Sequence, residues 1–234
     1  MNKSILAVIP ARGGSKGIPK KNIVGLGGRP LIAYTIKESM KTSLISQTIV
    51  STDSQEIADI AIENGANVPF LRPAELSDDK AKSIDVAMHA LSQSMAFFQE
   101  TYDIFLLLQP TSPFRTAAHI ENVINILIEN KNAESVISVN ETPNSYNPNY
   151  IYHVNKDDSC QPVNGQNSFE RRQDMKKTFV RNGAIYAVRV DYLVKNNSLV
   201  SKENYAYIMD EKSSVNVDTP FDLLLAETIL KGKK

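Results

Sequence analysis

The chain has 234 residues, 42% of them hydrophobic and 22% charged, and its 26 basic and 26 acidic side chains give a formal net charge of zero. This balance argues against a general nucleic-acid binder, which needs a broad basic face, and no apolar run approaches the ~20 residues of a membrane span. A single cysteine excludes an intramolecular disulfide and a cysteine-based zinc cluster. Because no signal-peptide pattern precedes the first apolar run, we expect a cytoplasmic protein with neither nucleic acid nor membrane as a partner.

The first predicted element is a buried strand over residues 5–9, whose continuous apolar and β-branched side chains are typical of a strand covered on both faces. Pro10 is expected to end its hydrogen-bond ladder because proline has no N–H to donate. No Asp or Glu occurs from residue 1 to 37, and the loop after the strand carries glycines between cations, at Arg12, Gly13, Gly14, Lys16, Gly17, Lys20 and Lys21. Glycine lets backbone N–H groups converge on a ligand, so the loop is predicted to bind a polyanion such as a triphosphate.

This glycine-rich loop matches neither of the two best-known nucleotide-binding loops. No Gly-Lys-Ser/Thr closes it, as a Walker A motif requires, and no G-x-G-x-x-G opens a helix. The glycines at 25, 27 and 28 are expected to form the turn before a helix over residues 30–41. The sequence therefore indicates a different kind of triphosphate loop, and the alternative is a solvated basic loop that only connects a strand to a helix.

Strands alternate with helices through the next hundred residues. The predicted strands cover residues 47–51, 67–71, 104–108 and 135–140, and the predicted helices cover residues 55–64, 83–98 and 117–130. Such alternation predicts an α/β fold with a mostly parallel sheet and right-handed crossovers. Asp53 follows a strand, where it or Ser54 caps the next helix with Glu56 in a capping box, or where Asp53 has a functional task. Ser83 is expected to cap the helix over residues 83–98.

The segment from residue 141 to 182 departs from this pattern. Asparagine and proline interrupt it, tyrosines alternate with polar residues, and antiparallel strands are predicted over residues 150–154 and 179–180 around a polar loop. We expect a small β-rich insert that covers the site or pairs with another subunit. After it come a strand over residues 181–188, a helical turn over 191–195, an edge strand over 205–209 and a last helix that ends near residue 231.

The sequence A-R-G-G-S-K-G-I-P-K-K-N at residues 11–22 resembles the acylneuraminate cytidylyltransferases, also called CMP-sialic acid synthetases. Similar segments follow over nearly the whole chain: R-P-A-E-L from residue 72, S-I-D-V from 83, Q-P-T-S-P-F-R from 109, R-R-Q-D from 171 and N-G-A-I-Y from 182. The resemblance implies a Rossmann-like nucleotidyltransferase, a three-layer α/β sandwich with a mostly parallel sheet. It also implies a single domain over residues 1–234 that contains a dimerisation insert at residues 141–182.

The reaction implied by this resemblance joins CTP to a nine-carbon sugar acid. The anomeric hydroxyl of the acid attacks the α-phosphorus of CTP, which yields the CMP-sugar and releases diphosphate. The expected acid is an N-acylneuraminate, and legionaminic or pseudaminic acid is the alternative. From other functional classes, a nucleotide-sugar glycosyltransferase and a nucleotide-binding protein without turnover remain open.

The resemblance also implies roles for individual residues. It implies nucleotide binding by Ala11, Arg12, Gly13, Gly14, Lys16, Lys21, Asn22, Arg72 and Ser83, and sugar-acid binding by Gln109, Arg172, Asn182 and Gly183. Of these, Arg12, Lys21 and Gln109, together with Asp218, are the expected catalytic residues, and Arg172 is implied to act on the neighbouring subunit of a homodimer.

Each of three implied roles has a simpler alternative. In the alternative interpretation, Arg72 is a loop arginine that pairs with Glu75 or Asp78. Gln109 is then a turn glutamine whose hydrogen bonds are made by nearby backbone. Arg172 is otherwise part of a solvated charged loop. Arg115, just before a helix, is expected to be structural.

Asp218 is the metal candidate. Thr219, Pro220 and Asp222 form a helix start with a capping box, which leaves Asp218 without a structural task, although a carboxylate there also favours the positive end of the helix. A triphosphate reaction needs Mg²⁺, which binds one or two carboxylates with substrate oxygens and waters. The resembling family carries Asp-x-Asp here, whereas this chain has Asn216, whose amide adds no negative charge and lowers the expected Mg²⁺ affinity. His89, His119 and His153 have no zinc-site spacing, and no strong general base is evident.

Overall fold

A six-stranded sheet forms the centre of the structure, a computed structural model that describes residues 3–165 and 176–232. The strands are β1 (Ile5–Pro10), β2 (Gly25–Leu26), β3 (Arg29–Pro30), β4 (Gln47–Ser51), β5 (Ile104–Leu108), β6 (Ser135–Glu141), β7 (Tyr152–Val154), β8 (Cys160–Pro162), β9 (Phe179–Arg189) and β10 (Asn204–Ile208). The helices are α1 (Leu31–Met40), α2 (Gln55–Glu63), α3 (Ser83–Phe98), α4 (Ala117–Glu129), α5 (Val190–Asn196) and α6 (Pro220–Lys231). Short 3₁₀ turns occur at Lys21–Ile23, Ala74–Leu76, Asn144–Tyr146 and Pro148–Tyr150.

The main sheet has the order β10-β6-β9-β5-β1-β4 and is mostly parallel, as predicted. Strand β1 pairs in parallel with β4 and β5, so that Val8 lies between Ile49 and Leu107. Strand β9 runs antiparallel to both of its neighbours because the chain re-enters the sheet from the opposite end after the insert. The carboxyl ends of β1, β4 and β5 therefore meet at one edge, where α/β proteins bind ligands.

Helices cover both faces of this sheet and complete the predicted three-layer sandwich. Helices α1, α2 and α4 pack on one face around β1 and β5, and α3 and α5 pack on the other. Phe105 and Leu107 on β5 are almost completely buried under α3 and α5. Burial of each such side chain contributes about 1.5–3 kcal/mol, which is why an uninterrupted apolar strand occupies the middle of the sheet.

A third apolar cluster connects helix α6 to the glycine-rich loop. It contains Ile18 from the loop, Val217 from the segment before α6 and Ala226 from α6 itself, all buried. The predicted turn at residues 25–28 is confirmed as a tight β2–β3 hairpin in which Gly27 and Gly28 have φ values of 56° and 81°. The cluster brings the glycine-rich loop and the segment before α6 together.

Several local predictions differ from the structure. Residues 67–71 are not a strand: Asn67 makes only one bridge to Ile49, because Pro69 has no N–H to extend a ladder. The β1 ladder runs one hydrogen bond beyond Pro10, since the N–H of Ala11 donates to the carbonyl of Ser51 over 2.9 Å.

The expected helix caps also need correction. Ser54 caps α2 with its side chain, and Glu56 pairs with Lys20 instead of completing a capping box. Ser83 is the first residue of α3 and not its cap, which is Lys82. The Thr219–Asp222 capping box at α6 is confirmed.

The insert is built differently from the predicted strand pair. Strand β7 pairs with β8 in a small antiparallel hairpin, whereas Phe179 and Val180 belong to β9 and pair with the end of β6. Residues 166–175, which include Arg172, lie outside the described residues. No helix in the part of the chain that the structure describes has the length and apolar content needed to cross a bilayer.

Candidate active site

A cavity of about 420 Å³ opens at the carboxyl ends of β1 and β5. The glycine-rich loop forms one wall, the start of α3 forms another, and Asp218 lies at its rim. Eight of the residues selected from the sequence line it together: Arg12, Lys16, Lys21, Asn22, Arg72, Ser83, Gln109 and Asp218. Four of them are cations, so the cavity suits a polyanionic ligand.

The backbone of the glycine-rich loop is arranged differently from the prediction. Ala11 is fully buried, and neither Gly13 nor Gly14 is among the lining residues, whereas Ser15 and Gly17 are. The Gly13 N–H donates to Asp53 Oδ1 over 2.9 Å and so points away from a ligand. Phosphate binding by the loop would therefore use its cations and its later residues, and sequence spacing alone does not distinguish these amides.

Asn22 and Asp53 hold this loop from its two sides. The amide Nδ2 of Asn22, a buried residue, donates to the carbonyl of Arg12 over 2.9 Å. Asp53 therefore has a task other than capping α2, which was one of the two interpretations left open by the sequence. Both residues stabilise the loop by satisfying its backbone groups.

Acidic side chains neutralise the cavity cations. Asp79 accepts from Arg12 Nη1 at 2.9 Å and from Lys16 Nζ at 2.5 Å, and Lys21 Nζ lies 2.6 Å from Asp218 Oδ1. The hydrogen bond from Lys16, followed by that from Arg12, holds the pKa of Asp79 below its ordinary value. Asp79 had no predicted role, and no sequence signal indicated one, because its contacts with Arg12 and Lys16 join segments that are distant in the chain.

Arg72 is buried with only 5% of its surface exposed, although it lines the cavity. Its Nε donates to Ser77 Oγ over 2.9 Å, and its backbone N–H donates to the carbonyl of Thr52. Burial lowers the pKa of Arg72, the negative charge of Asp53 opposes that shift, and the charge of Arg12 adds to it. The alternative pairing of Arg72 with Glu75 or Asp78 is not found among the described residues, in which its side chain donates to Ser77.

Gln109 is fixed at the end of β5 through its backbone. Its carbonyl accepts from Arg115 Nη1 at 3.1 Å, and the same Nη1 donates to Ala184 O at 2.7 Å while Nη2 donates to Thr35 Oγ1. Burial lowers the pKa of Arg115 to about 9, with Glu38 acting against that shift. The structural role predicted for Arg115 is confirmed, and it leaves the Gln109 side chain on the cavity wall.

A second cavity of about 350 Å³ adjoins the first and shares Ser83, Leu107 and Gln109 with it. Its other walls come from Arg181 and Tyr186 on β9 and from residues 197–200 after α5. Neither Arg181 nor Tyr186 was a predicted site residue, although Arg181 directly precedes the N-G-A-I-Y segment and Tyr186 ends it. Gln109 therefore lies where the two cavities meet.

Asn182 and Gly183 are not among the lining residues of either cavity. Asn182 is buried, and its Oδ1 accepts from Ser138 Oγ at 2.6 Å while its Nδ2 donates to Ser214 Oγ at 2.9 Å. Gly183 has a φ of 75° at the irregular step in the β6–β9 pairing. The structure thus gives Asn182 internal partners, and a sugar contact by these two residues stays a prediction.

Asp218 and Asn216 form the candidate metal site. Asn216 Nδ2 donates to Asp218 Oδ2, and the Asp218 N–H donates to Asp222 Oδ2, which fixes the backbone at the start of α6. Among the residues that the structure describes, no three His, Cys, Asp or Glu side chains converge on a metal position. One carboxylate with one amide nevertheless fits Mg²⁺, provided that the Asn216 amide turns its oxygen inward and a bound phosphate completes the shell.

Comparison with known proteins gives a consistent family. A cytidylyltransferase family model matches residues 6–218. The CMP-N,N'-diacetyllegionaminic acid synthase of Legionella pneumophila is 36% identical over 97% of this chain and 96% of its own length. The N-acylneuraminate cytidylyltransferase of Escherichia coli is 35% identical over 100% of this chain, which spans 54% of that relative.

The fold also matches a solved structure of a CMP:2-keto-3-deoxy-manno-octonic acid synthetase complexed with CTP. The TM-score is 0.74 over 99% of this chain and 100% of that one, at 17% sequence identity, so this likeness concerns the fold alone. The family model, in contrast, covers both the glycine-rich loop and Asp218. The chain therefore belongs to the cytidylyltransferase family of nucleotidyltransferases.

Proposed function

We propose that this protein activates a nine-carbon sugar acid: CTP and an N-acylneuraminate react to give CMP-N-acylneuraminate and diphosphate. The observation that carries the proposal is the pair of adjoining cavities that share Gln109. The first cavity contains Arg12, Lys16 and Lys21, three cations suited to a triphosphate, and the second contains Arg181, a cation suited to a carboxylate. Two differently built cavities that meet at one amide suit a reaction that joins two substrates.

Catalysis in this arrangement depends on positioning and charge neutralisation. Arg12, Lys16 and Lys21 would bind the triphosphate, and Lys21 Nζ lies 2.6 Å from Asp218 Oδ1, the candidate metal ligand. Asn22, Arg72 and Ser83 would hold the nucleoside. Gln109 would orient the anomeric hydroxyl of the acid toward the α-phosphorus, because an amide at the cavity junction can donate and accept without titrating. Transfer of this kind gains its rate from fixed geometry and from cations aimed at developing charge.

Mg²⁺ is the proposed cofactor, held by Asp218 and Asn216. When bound, it would neutralise charge on the phosphate oxygens. Because Asn216 adds no negative charge, Asn216→Asp is expected to tighten metal binding in the presence of CTP by about tenfold, which a calorimetric Mg²⁺ titration measures. Asn132→Asp is the matched control, because it makes the same change at an exposed residue that is distant from Asn216 in the sequence. Equal effects of the two variants on Mg²⁺ binding would contradict the metal assignment.

Legionaminic acid is a second candidate for the sugar acid. The Legionella relative named for that acid is matched over nearly its full length, at an identity similar to that of the Escherichia coli relative named for N-acylneuraminate. Pseudaminic acid is a third, since a relative with that name is 27% identical over 97% of this chain. The walls of the second cavity, with Tyr186 and residues 197–200, are where these acids would be distinguished.

We also propose that the protein works as a homodimer. The insert and the adjoining strand expose large apolar side chains that a single chain leaves uncovered, among them Tyr146 at 65% and Val154 at 70% exposure, together with Tyr150, Tyr152, Phe179 and Val180. Exposed apolar surface of this kind marks interaction sites. Light scattering at defined concentration tests the dimer.

The proposed compartment is the cytoplasm, which fits an exposed cysteine, Cys160, that is free in the structure.

The test of the proposed reaction is product analysis by ³¹P NMR. The protein is incubated with CTP and Mg²⁺ and with N-acetylneuraminate, N,N'-diacetyllegionaminate or pseudaminate in parallel. The proposal predicts a CMP-sugar and diphosphate with one of the acids. A glycosyltransferase would instead consume a finished nucleotide-sugar, and a binding protein would retain CTP without turnover. Absence of product with all three acids, from wild type and from Asn216→Asp, would refute the proposal.

A further inference from the structure

The end of strand β4 and the two residues after it contact both the glycine-rich loop and Arg72. Both belong to the first cavity, where CTP is proposed to bind and which is named the nucleotide cavity. The carbonyl of Ser51 accepts from the N–H of Ala11, at the start of the glycine-rich loop, over 2.9 Å. One residue later, the carbonyl of Thr52 accepts from the N–H of Arg72 over 2.7 Å. The next residue, Asp53, accepts the Gly13 N–H at 2.9 Å through its carboxylate. Three consecutive residues therefore connect the loop that would bind phosphates to the arginine that would contact the nucleoside.

Asp53 differs from the other two because its contact is made by a charged side chain. It lies behind the loop and is not among the residues that line the cavity. Its carboxylate oxygen satisfies the Gly13 N–H, so Asp53 fixes the path of the loop at Gly13. A Cβ atom on Gly13 would come within 3.2 Å of Ser54 Cβ, which shows how closely the loop packs against this turn.

The charge of Asp53 also acts on Arg72. Arg72 is a buried cation, and Arg12, a second cation, is near enough to destabilise its charge further. Asp53 supplies the opposing negative charge, while Ser77 supplies a neutral hydrogen-bond acceptor. A buried charge needs such compensation to offset the cost of its removal from water.

We infer that Asp53 is a positioning residue that fixes the phosphate-binding loop relative to Arg72, so that the triphosphate and the nucleoside are bound at a set spacing. It does this without touching either group, and the inference rests on the proposed binding of CTP in this cavity. The two functions of the carboxylate are separable. Its oxygen accepts from Gly13, which an amide oxygen also does, whereas its charge compensates Arg72, which an amide does not.

Two ligand fragments report on these functions separately in calorimetric titrations of the full-length protein. Tripolyphosphate reports on the loop, and CMP reports mainly on the nucleoside side. Asp53→Ala is expected to raise the dissociation constants of both fragments by about tenfold, because it removes the acceptor and the charge. Asp53→Asn is expected to keep tripolyphosphate within about twofold of wild type while it weakens CMP about fivefold.

Ser54→Ala is the matched control, because it removes the α2 cap next to Asp53 and leaves the Asp53 carboxylate in place. It is expected to lower the midpoint of thermal unfolding without changing either dissociation constant. If the wild-type protein binds neither tripolyphosphate nor CMP, the proposed CTP site itself is refuted. If wild type binds both, then unchanged binding by Asp53→Ala, equal effects of Asp53→Asn on the two fragments, or equal effects of Ser54→Ala and Asp53→Ala would overturn the inference alone.

Discussion

The backbone of Gly17 passes so close to Asp218 that a Cβ atom on residue 17 would lie 2.5 Å from the Asp218 carbonyl oxygen. These two residues lie at opposite ends of the chain, and both line the nucleotide cavity. The buried side chains of Ile18 and Val217, which follow and precede them, belong to one apolar cluster. The loop and the candidate metal ligand are therefore held together by main-chain contact, which only glycine permits.

Gly17→Ala is expected to separate the loop from Asp218, because the obstructing atom is backbone and cannot rotate away. A displacement near 1 Å in a positioned site lowers activity by about 100-fold, so we expect a loss of that order in kcat/KM for CTP. Gly14→Ala is the matched control, since a Cβ there meets nothing within 4 Å. Steady-state kinetics of the two variants measure the effect, and similar rates would contradict the close approach.

Asp79 would compete with the proposed triphosphate for Arg12 and Lys16, because its carboxylate contacts both cations. Replacing it by a neutral amide in Asp79→Asn is expected to lower KM for CTP about threefold, the size usual for an exposed ion pair. The gain should shrink as salt is added, since salt screens such pairs. Glu56→Gln, which breaks the Lys20 pair outside the cavity, should leave KM unchanged. An increase in KM with Asp79→Asn would show that Asp79 assists binding.

Arg115 supports the catalytic edge of the sheet from inside the core. Its fully buried guanidinium donates to two carbonyls and to Thr35 Oγ1, so Arg115→Ala removes the guanidinium donor from Ala184 O and Thr35 Oγ1 and leaves Gln109 O only its longer contacts with Thr35 and Ser112. We expect a loss of about 3 kcal/mol or more in the free energy of unfolding, because buried polar groups left unsatisfied are expensive. Urea denaturation measures it, with the exposed Arg29→Ala as control. Equal stability of both variants would refute the support role.

The parts of the fold that were predicted correctly have short-range causes. Strand β5 is uninterrupted and apolar because both of its faces are covered, and its bounds were predicted as observed. The helix start at Thr219 carries its own capping residues. Most cavity residues were predicted from segments that follow an expected strand end or that resemble the family motifs, among them Arg12, Lys21, Arg72, Gln109 and Asp218. Convergence of parallel strands at one edge made the meeting of Arg12 and Gln109 predictable, because they follow β1 and β5, whereas no strand directly precedes Arg72 or Asp218 in the structure.

The parts that were missed depend on contacts between distant segments. The direction of the Gly13 N–H is set by Asp53, 40 residues away, and no local pattern reveals it. Arg181 and Tyr186 reach the second cavity only because β9 inserts between β5 and β6. The hydrogen bonds of the Asn182 amide with Ser138 and Ser214 were likewise not predictable from the sequence, and its expected sugar contact stays a prediction. A sequence motif identifies such residues but does not show which way their side chains point.

The most direct test of cytidylyl transfer in this cavity is the initial rate of diphosphate release from CTP in the presence of the accepted sugar acid. Wild type is predicted to release diphosphate only when both substrates are present. Lys21→Met, which removes the cation 2.6 Å from Asp218, should lower kcat/KM about 100-fold, as loss of a positioned charge does. Lys20→Met removes the neighbouring charge, which pairs with Glu56, and should stay within about twofold of wild type. Diphosphate release without the acid, or equal rates for Lys21→Met and wild type, would contradict this account.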